Sequence, residues 1–347
     1  MRCLWLIVVA MMLQMMSQQA VARPRSCDAI ACVEDVSFDN GEAALSGTIY
    51  RPAQGKVASI LIAVHGASGG ERSTAIFRHL HESLPRLGMA VLVFDRRGTG
   101  RSTGDLKSSD YTVLADDAIA ARRLFESDPG LRDAPVGYWG YSQGGWIAMI
   151  AGSRDPRAAF VVSVSAPLVS PDLQMIEATR NILRINGASE ADIAIAIDAR
   201  EAVDAHLRGQ MDAKTAQAKL DLAKTKPWFP LIYMSGTLGD PKTSRWLKEI
   251  SYDPMDALSR VEVPTLLVFG QKDVWIPVRT SVERARALDR RTVTVVSIAG
   301  ADHAMMESLT PQQQIDSSLS KRFRPESAEY FLALGSWLTS GGFGGLD

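Results

Sequence analysis

The chain has 347 residues, 46% of them hydrophobic, and its 38 Lys and Arg nearly balance 39 Asp and Glu for a net charge of -1. That composition supplies a large core and excludes a disordered chain. It offers no basic face for nucleic acid and no dense acidic block of the kind that marks a calcium-buffering surface.

Residues 1–22 read as a signal peptide: Met1-Arg2, the apolar run Leu4–Met16, a polar step, and the small-residue exit Ala20-Val21-Ala22. The apolar run is shorter than the ~20 residues that span a bilayer, so the expectation is export with cleavage after Ala22 and no stable membrane anchor afterwards. Cys3 would leave with the signal, and the mature chain would keep Cys27 and Cys32. In an oxidising compartment these two could close a small disulfide loop, but spacing does not set the geometry a bridge needs, and the unpaired state stays open. No Cys/His cluster suggests a metal site.

Val33–Phe38 and Ala43–Tyr50 alternate around the turn Asp39-Asn40-Gly41, which predicts an antiparallel hairpin. The continuous apolar runs Ala58–Val64 and Ala90–Phe94 then predict strands buried on both faces of a parallel sheet, with helical spacing over Thr74–Leu87 between them. A helix over Val113–Phe125, a strand at Val136–Trp139, a helix over Gly145–Gly152 and a strand at Phe160–Ser165 continue a doubly wound α/β plan. From residue 170 to residue 253 the alternation stops and alanine-rich helical segments take over (Ala188–Ala205, Asp212–Lys226). The rhythm returns with a strand at Thr265–Phe269, a helix over Val278–Leu288, a strand at Thr292–Ile298 and a helix near Ser327–Leu338. The expected organisation is therefore a core in two parts, 23–169 and 254–340, a helical cap at 170–253, and a flexible glycine-rich tail at 341–347.

Gly140-Tyr141-Ser142-Gln143-Gly144 reads as G-x-S-x-G between a strand and a helix, the context of a nucleophile elbow. A serine hydroxyl needs an imidazole base and a carboxylate to orient it. Of five histidines, His79 and His81 fall in a predicted helix and His206 in the insertion. His65 and His303 follow strands, and His303, after the last one, is the candidate base. Asp273, directly after Thr265–Phe269, is the candidate acid; Asp302, Asp253 and Asp256 are weaker, Asp302 because adjacent side chains point apart. His65-Gly66-Ala67-Ser68-Gly69-Gly70 would supply oxyanion donors, with the amides of Ala67 and Gln143 as the expected pair. The Lys-Ser/Thr ending of a phosphate loop is absent there. Arg96, Arg97 and Arg101 read as parts of a structural turn set by Gly98 and Gly100. In the insertion, Trp228, Phe229, Tyr233 and Trp246, with Met234, could line a substrate pocket or glue the cap to the core.

His65-Gly66, the turn Asp95–Ser102, Gly140–Gly144, Asp273 and His303 in this order resemble the α/β-hydrolase family over about Val33 to Leu338. The turn motif and the exported, capped layout are most similar to bacterial carboxylesterase-like and serine-aminopeptidase-like members. The resemblance implies a mostly parallel sheet with helices on both faces and hydrolysis through Ser142, Asp273 and His303 without a cofactor. The expected substrate is a small-molecule carboxylic ester. A peptidase, amidase or thioesterase using the same triad is the alternative, and a catalytically silent binding protein on the same scaffold is the alternative of another class.

Overall fold

The computed structural model describes residues 26–307, 310–316 and 325–345. Strands β1 (Ser26–Cys27), β2 (Ala31–Asn40), β3 (Ala43–Pro52), β4 (Ser59–Val64), β5 (Met89–Phe94), β6 (Val136–Tyr141), β7 (Ala158–Val164), β8 (Thr265–Gly270) and β9 (Val293–Ile298) join in one sheet. Its order is β1-β2-β3-β5-β4-β6-β7-β8-β9. The hairpin β2–β3 and its neighbours pair antiparallel, while every pairing from β5 through β4 to β9 is parallel. Cys27 lies opposite Cys32 across β1 and β2, and the two are joined by a disulfide.

The apolar runs are continuous because both sheet faces are covered. On β4, Ile60, Ile62 and Val64 enter one hydrophobic cluster with Leu92, Trp146, Ile147 and Phe269. Leu61 and Ala63 enter the other with Phe77, Val91, Trp139, Phe160 and Tyr330. Successive strand side chains point to opposite faces, so a helix layer on each side is the only way to keep this pattern dry. Each fully buried aliphatic side chain there contributes roughly 1.5–3 kcal/mol. The chain leaves β4 toward β5 on one side and returns to β6 on the other, so the loops after β4 and β6 diverge at the carboxyl edge and open a crevice where ligands bind in such sheets.

Local chemistry moves several boundaries. The helix expected over Thr74–Leu87 is broken into 3-10 turns at Ala75–Phe77 and Leu84–Leu87 around a short helix, Arg78–Ser83. Pro85 cannot donate a backbone hydrogen bond, and Gly88, with φ of 73°, ends the segment. The helix expected from Val113 starts at Tyr111, because the Asp110 carboxylate accepts from Val113 N at 3.0 Å.

Between β7 and β8 lie helices Pro171–Ile185, Glu190–Leu207 and Ala213–Lys224. Ser189 and Asp212 cap the last two through Asp192 N and Thr215 N. Their alanines permit close approach, and Leu183, Ile193, Ala196, Ala199, Ala223 and Ile232 close a core separate from those of the sheet. Among the described residues no helix is long and apolar enough to cross a membrane; the expected signal peptide at 1–22 lies outside them.

The glycine-rich end, expected to fray, docks instead. The Phe343 ring lies 4.4 Å from Phe160, its carbonyl accepts from Ser59 Oγ, and Gly345 N donates to Leu87 O at 3.0 Å. The missed signal was the single aromatic among the glycines. Phe343→Ala is expected to cost roughly 1–3 kcal/mol in urea unfolding, short of the ~3–5 of a fully buried Phe because the ring is part-exposed. A change below about 0.5 kcal/mol, ordinary for a surface site, would mean the tail frays after all.

Candidate active site

Strand β6 ends at Tyr141 and the helix Gln143–Arg154 begins two residues later, with Ser142 between them at φ 54° and ψ -123°. That left-handed backbone costs a non-glycine residue on the order of 1–3 kcal/mol. It persists because strand, helix and neighbouring strand meet too closely for any other path. A Cβ on Gly140 would lie 1.9 Å from the Gly144 carbonyl oxygen, and one on Gly144 would lie 2.4 Å from that of Val64. A Cβ on Gly145 would lie 2.4 Å from Ser163 Oγ. Ser142 N donates to Val164 O at 2.8 Å, which ties the turn to β7.

The structure brings Ser142, His303 and Asp273 together. His303 Nε2 is 3.1 Å from Ser142 Oγ, and His303 Nδ1 is 2.6 Å from Asp273 Oδ2. A carboxylate can only accept, so Nδ1 carries the proton and Nε2 is left to accept from the serine. Asp273 is buried, and its other oxygen accepts from Trp275 N at 2.8 Å. Asp302, the weaker candidate, turns away: its Oδ1 accepts from Ala304 N and Met306 N and shapes the loop that carries His303. Asp253 is engaged as the cap of helix Pro254–Arg260 and in an ion pair with Arg284. Gln314, which sequence reasoning passed over, reaches both loops, donating to Lys272 O at 2.6 Å and accepting from His303 N at 3.4 Å.

The other histidines are spoken for. His65 is buried with Nε2 2.6 Å from Phe94 O, and burial pushes its imidazole down to about 4. His79 is buried against Trp139 and Tyr330, which pushes it down to about 3. His81 stacks on Tyr50, and His206 Nδ1 faces Met211 O within the cap.

Arg96 has a larger part than a turn residue. Buried, it donates from Nη1 to Gly66 O at 2.9 Å and from Nη2 to Ala67 O at 3.3 Å, while Thr99 Oγ1 donates to Gly70 O at 2.8 Å. In a trans peptide the N–H points opposite to the C=O. Holding the Gly66 carbonyl therefore aims the Ala67 N–H away from Arg96. Arg97 is an ion-pair partner of Asp117, and Arg101 lies at the surface near Asp35. A second polar cluster stands where the cap meets the elbow: Arg245 Nε donates to buried Glu249 at 2.8 Å, and the Tyr111 phenol stands near Glu249 and the Gln143 side chain. Burial raises both the Glu249 carboxyl and the Tyr111 phenol above their ordinary ranges.

The four aromatic candidates of the insertion separate. Trp228 and Phe229 pack into the cap's own core, because their ring faces complete the apolar cluster that holds its helices together. Tyr233 and Trp246 line a cavity of about 270 Å³ in the cap together with Met234. The Tyr233 ring lies 5.5 Å from Trp275, beside the acid loop. Among the described residues no group of His, Cys, Asp and Glu side chains could hold a metal ion.

A serine, imidazole and carboxylate in register at the carboxyl edge of a doubly covered, mostly parallel sheet form the arrangement found in serine hydrolases of the α/β-hydrolase fold. The family model described as serine aminopeptidase S33 matches residues 55–309, and the chain belongs to that family. It is 34% identical over 136 residues to the quorum-quenching protein AidA of Acinetobacter baumannii, covering 37% of this chain and 42% of that one. The chain thus spans less than half the length of that curated relative. Among solved structures it resembles an esterase of Pyrococcus furiosus, with a TM-score of 0.56 and 17% identity over 93% of this chain and 98% of that one. A proline iminopeptidase of Mycobacterium smegmatis matches with a TM-score of 0.54 and 16% identity over 89% of this chain and 99% of that one. At these identities the structural likeness is one of fold.

Two outcomes follow from this geometry. With the Ala67 amide as the expected oxyanion donor, Arg96→Leu should lower kcat about tenfold or more with little change in KM, because such a donor acts in the transition state; Arg96→Lys should recover part of the loss. Equal changes in kcat and KM, with no recovery by lysine, would deny Arg96 this part. The second outcome concerns pH. His65 and His79 titrate lower when folded than the ordinary histidine value of 6.5, so the unfolded chain binds more protons between these values. The stability they hold is complete above pH 6.5 and is lost as pH falls toward about 4 and 3. The loss is about 3 kcal/mol for His65 and about 5 kcal/mol for His79. Urea unfolding across this window should show the slope, and His79→Phe should flatten it.

Proposed function

We propose that the protein is an exported serine hydrolase that cleaves carboxylic esters of small molecules through an acyl-enzyme. The hydrogen-bonded chain from Ser142 Oγ through His303 to Asp273 carries this reading. In it Ser142 Oγ attacks the ester carbonyl while His303 Nε2 takes the hydroxyl proton. Asp273 keeps Nδ1 protonated and stabilises the imidazolium without taking its proton. The tetrahedral oxyanion is held by the amides of Ala67 and Gln143, each such donor being worth ~100- to 1,000-fold in rate. His303 then protonates the leaving alcohol and draws a proton from water, which attacks the acyl-enzyme and frees Ser142. Every step uses groups of this chain, and no cofactor enters it.

Family membership supports hydrolysis but also favours a second reading, cleavage of a peptide beside a free amino terminus, as the family description says. The charges beside the site favour the ester. A terminal ammonium needs a carboxylate to itself, whereas Glu249 is matched by Arg245, and Asp204 in the cap cavity lies one helical turn from Arg200. Export rests on the N-terminal pattern, and the Cys27–Cys32 bridge fits an oxidising compartment.

A fluorophosphonate probe should label the protein at Ser142, and Ser142→Ala should abolish labelling and lower ester turnover by about four to six powers of ten. Aryl esters should exceed aminoacyl amides and thioesters in kcat/KM when all three are run on wild type and Ser142→Ala. Amides turned over faster than esters would move the assignment to the peptidase reading. An unlabelled, inactive wild type would remove both.

A further inference from the structure

The cap cavity holds two charges that the serine chemistry does not use. Its walls are mostly apolar, with Met175, Leu207, Met234 and Trp246 among them, yet Arg200 and Asp204 also line it. These two stand one turn apart on the helix Glu190–Leu207 and so on one face. They are only 6% and 3% exposed. Arg200 donates from Nε to Thr179 Oγ1 at 3.0 Å and from Nη2 to Ile232 O; Asp204 Oδ1 accepts from Trp246 Nε1 at 2.8 Å. Among the described residues, Arg200 Nη1 and Asp204 Oδ2 have no hydrogen-bond partner. Both atoms keep some surface exposed, and both residues line the cavity. The nearby Arg208 and Asp172 are paired with each other at 2.5 Å and leave the local balance neutral.

We propose that this cavity is a specificity site for an uncharged substrate group that both donates and accepts hydrogen bonds, a hydroxyl or primary amide at the end of an apolar chain. The proposal rests on the serine-hydrolase reading above. Packing alone explains neither side chain, since burying two ions costs several kcal/mol each and apolar residues of similar volume would hold these helices at least as well. What packing leaves over is one free donor beside one free acceptor. An ammonium group would satisfy Asp204 and meet Arg200 as a like charge; a carboxylate would do the reverse. A hydroxyl or amide satisfies both. The cavity adjoins the loop that carries Asp273 on its Tyr233 and Met175 walls. Tyr233 lies against Trp275, whose N–H binds Asp273, and Gln174, next to Met175, donates to Trp275 O at 3.1 Å.

The test uses the full mature chain and 4-nitrophenyl hexanoates whose sixth carbon carries hydrogen, hydroxyl, ammonium or carboxylate. A mirror set of hexyl acetates carries the same four ends on the alcohol side. In one of the two sets the hydroxyl-ended ester should exceed both charged ones in kcat/KM by about 10- to 100-fold, the cost of leaving a buried polar partner unmatched. Asp204→Asn keeps an acceptor for Trp246 but leaves Arg200 uncompensated, so it should shift preference toward the carboxylate end. A merely structural Asp204 would not produce that change. Should the variant fail to fold, Val203→Phe, which fills part of the cavity and leaves both charged side chains in place, should lower the hydroxyl-to-plain ratio toward one. Preference for the ammonium end, or equal rates for all ends in both sets with 4-nitrophenyl acetate still cleaved and Ser142 still labelled, overturns the proposal alone. Loss of labelling and of acetate cleavage in the wild type overturns the serine-hydrolase reading and this proposal with it.

Discussion

The positive φ of Ser142 is the constraint on which the rest of the site depends. A serine held at 54° is strained by itself, and the surrounding sheet over-determines it. The Val64 carbonyl end of β4, the Ser142 N–H bond to β7 and the three glycines leave the chain no other route from strand to helix. A side chain on Gly140 or Gly144 would press against backbone, which cannot yield, and one on Gly145 would press against Ser163 Oγ and the Ala166 Cβ. The strain is thus offset by the two hydrophobic layers that hold β4, β6 and β7 in register, and it is a tertiary property rather than a local one.

Fixing the serine makes exacting demands on groups that come from other strands. His303 and Asp273 sit on loops after β9 and β8, and loops tolerate movement that a triad does not. Here each loop is tied by its own polar contacts. Asp302 gathers the amides of Ala304 and Met306 beneath His303, Trp275 N holds the acid, and Gln314 joins the two loops. On the opposite side Arg96 does the same for the loop after β4. The catalytic edge is therefore a set of strand ends whose loops are each bonded to a neighbour.

Much of this was legible in the sequence, for identifiable reasons. Strands buried on both faces announce themselves as apolar runs, and the elbow announces itself because glycine is the only residue its geometry admits. The side chains that meet at Ser142 could be picked out by elimination among few histidines and by their position after strands. Long-range tethers left no such mark: nothing local distinguishes Gln314 from any surface glutamine, and Arg96 reads as a turn residue until its distance from Gly66 is known. The cap aromatics were ambiguous for a related reason. Trp228 and Tyr233 have similar sequence surroundings, and only the packing of three helices decides that one fills a core and the other faces a cavity.

The cap joins the core through polar as well as apolar contacts, and this affects how substrate choice relates to catalysis. Arg245 and Glu249 meet Tyr111 beside Gln143, so the cap's exit helix reaches the first turn of the nucleophile helix. Lys248 Nζ adds a bond to Ser108 O at 3.3 Å on the same side. On the other side Gln174 and Asn181 donate to the carbonyls of Trp275 and Val274, next to the acid. A displacement of the cap would therefore pull on the acid loop and on the Gln143 side at once. The cap is thus one body attached on the acid-loop side and on the nucleophile-helix side, so a change in its packing reaches both neighbours of Ser142 together.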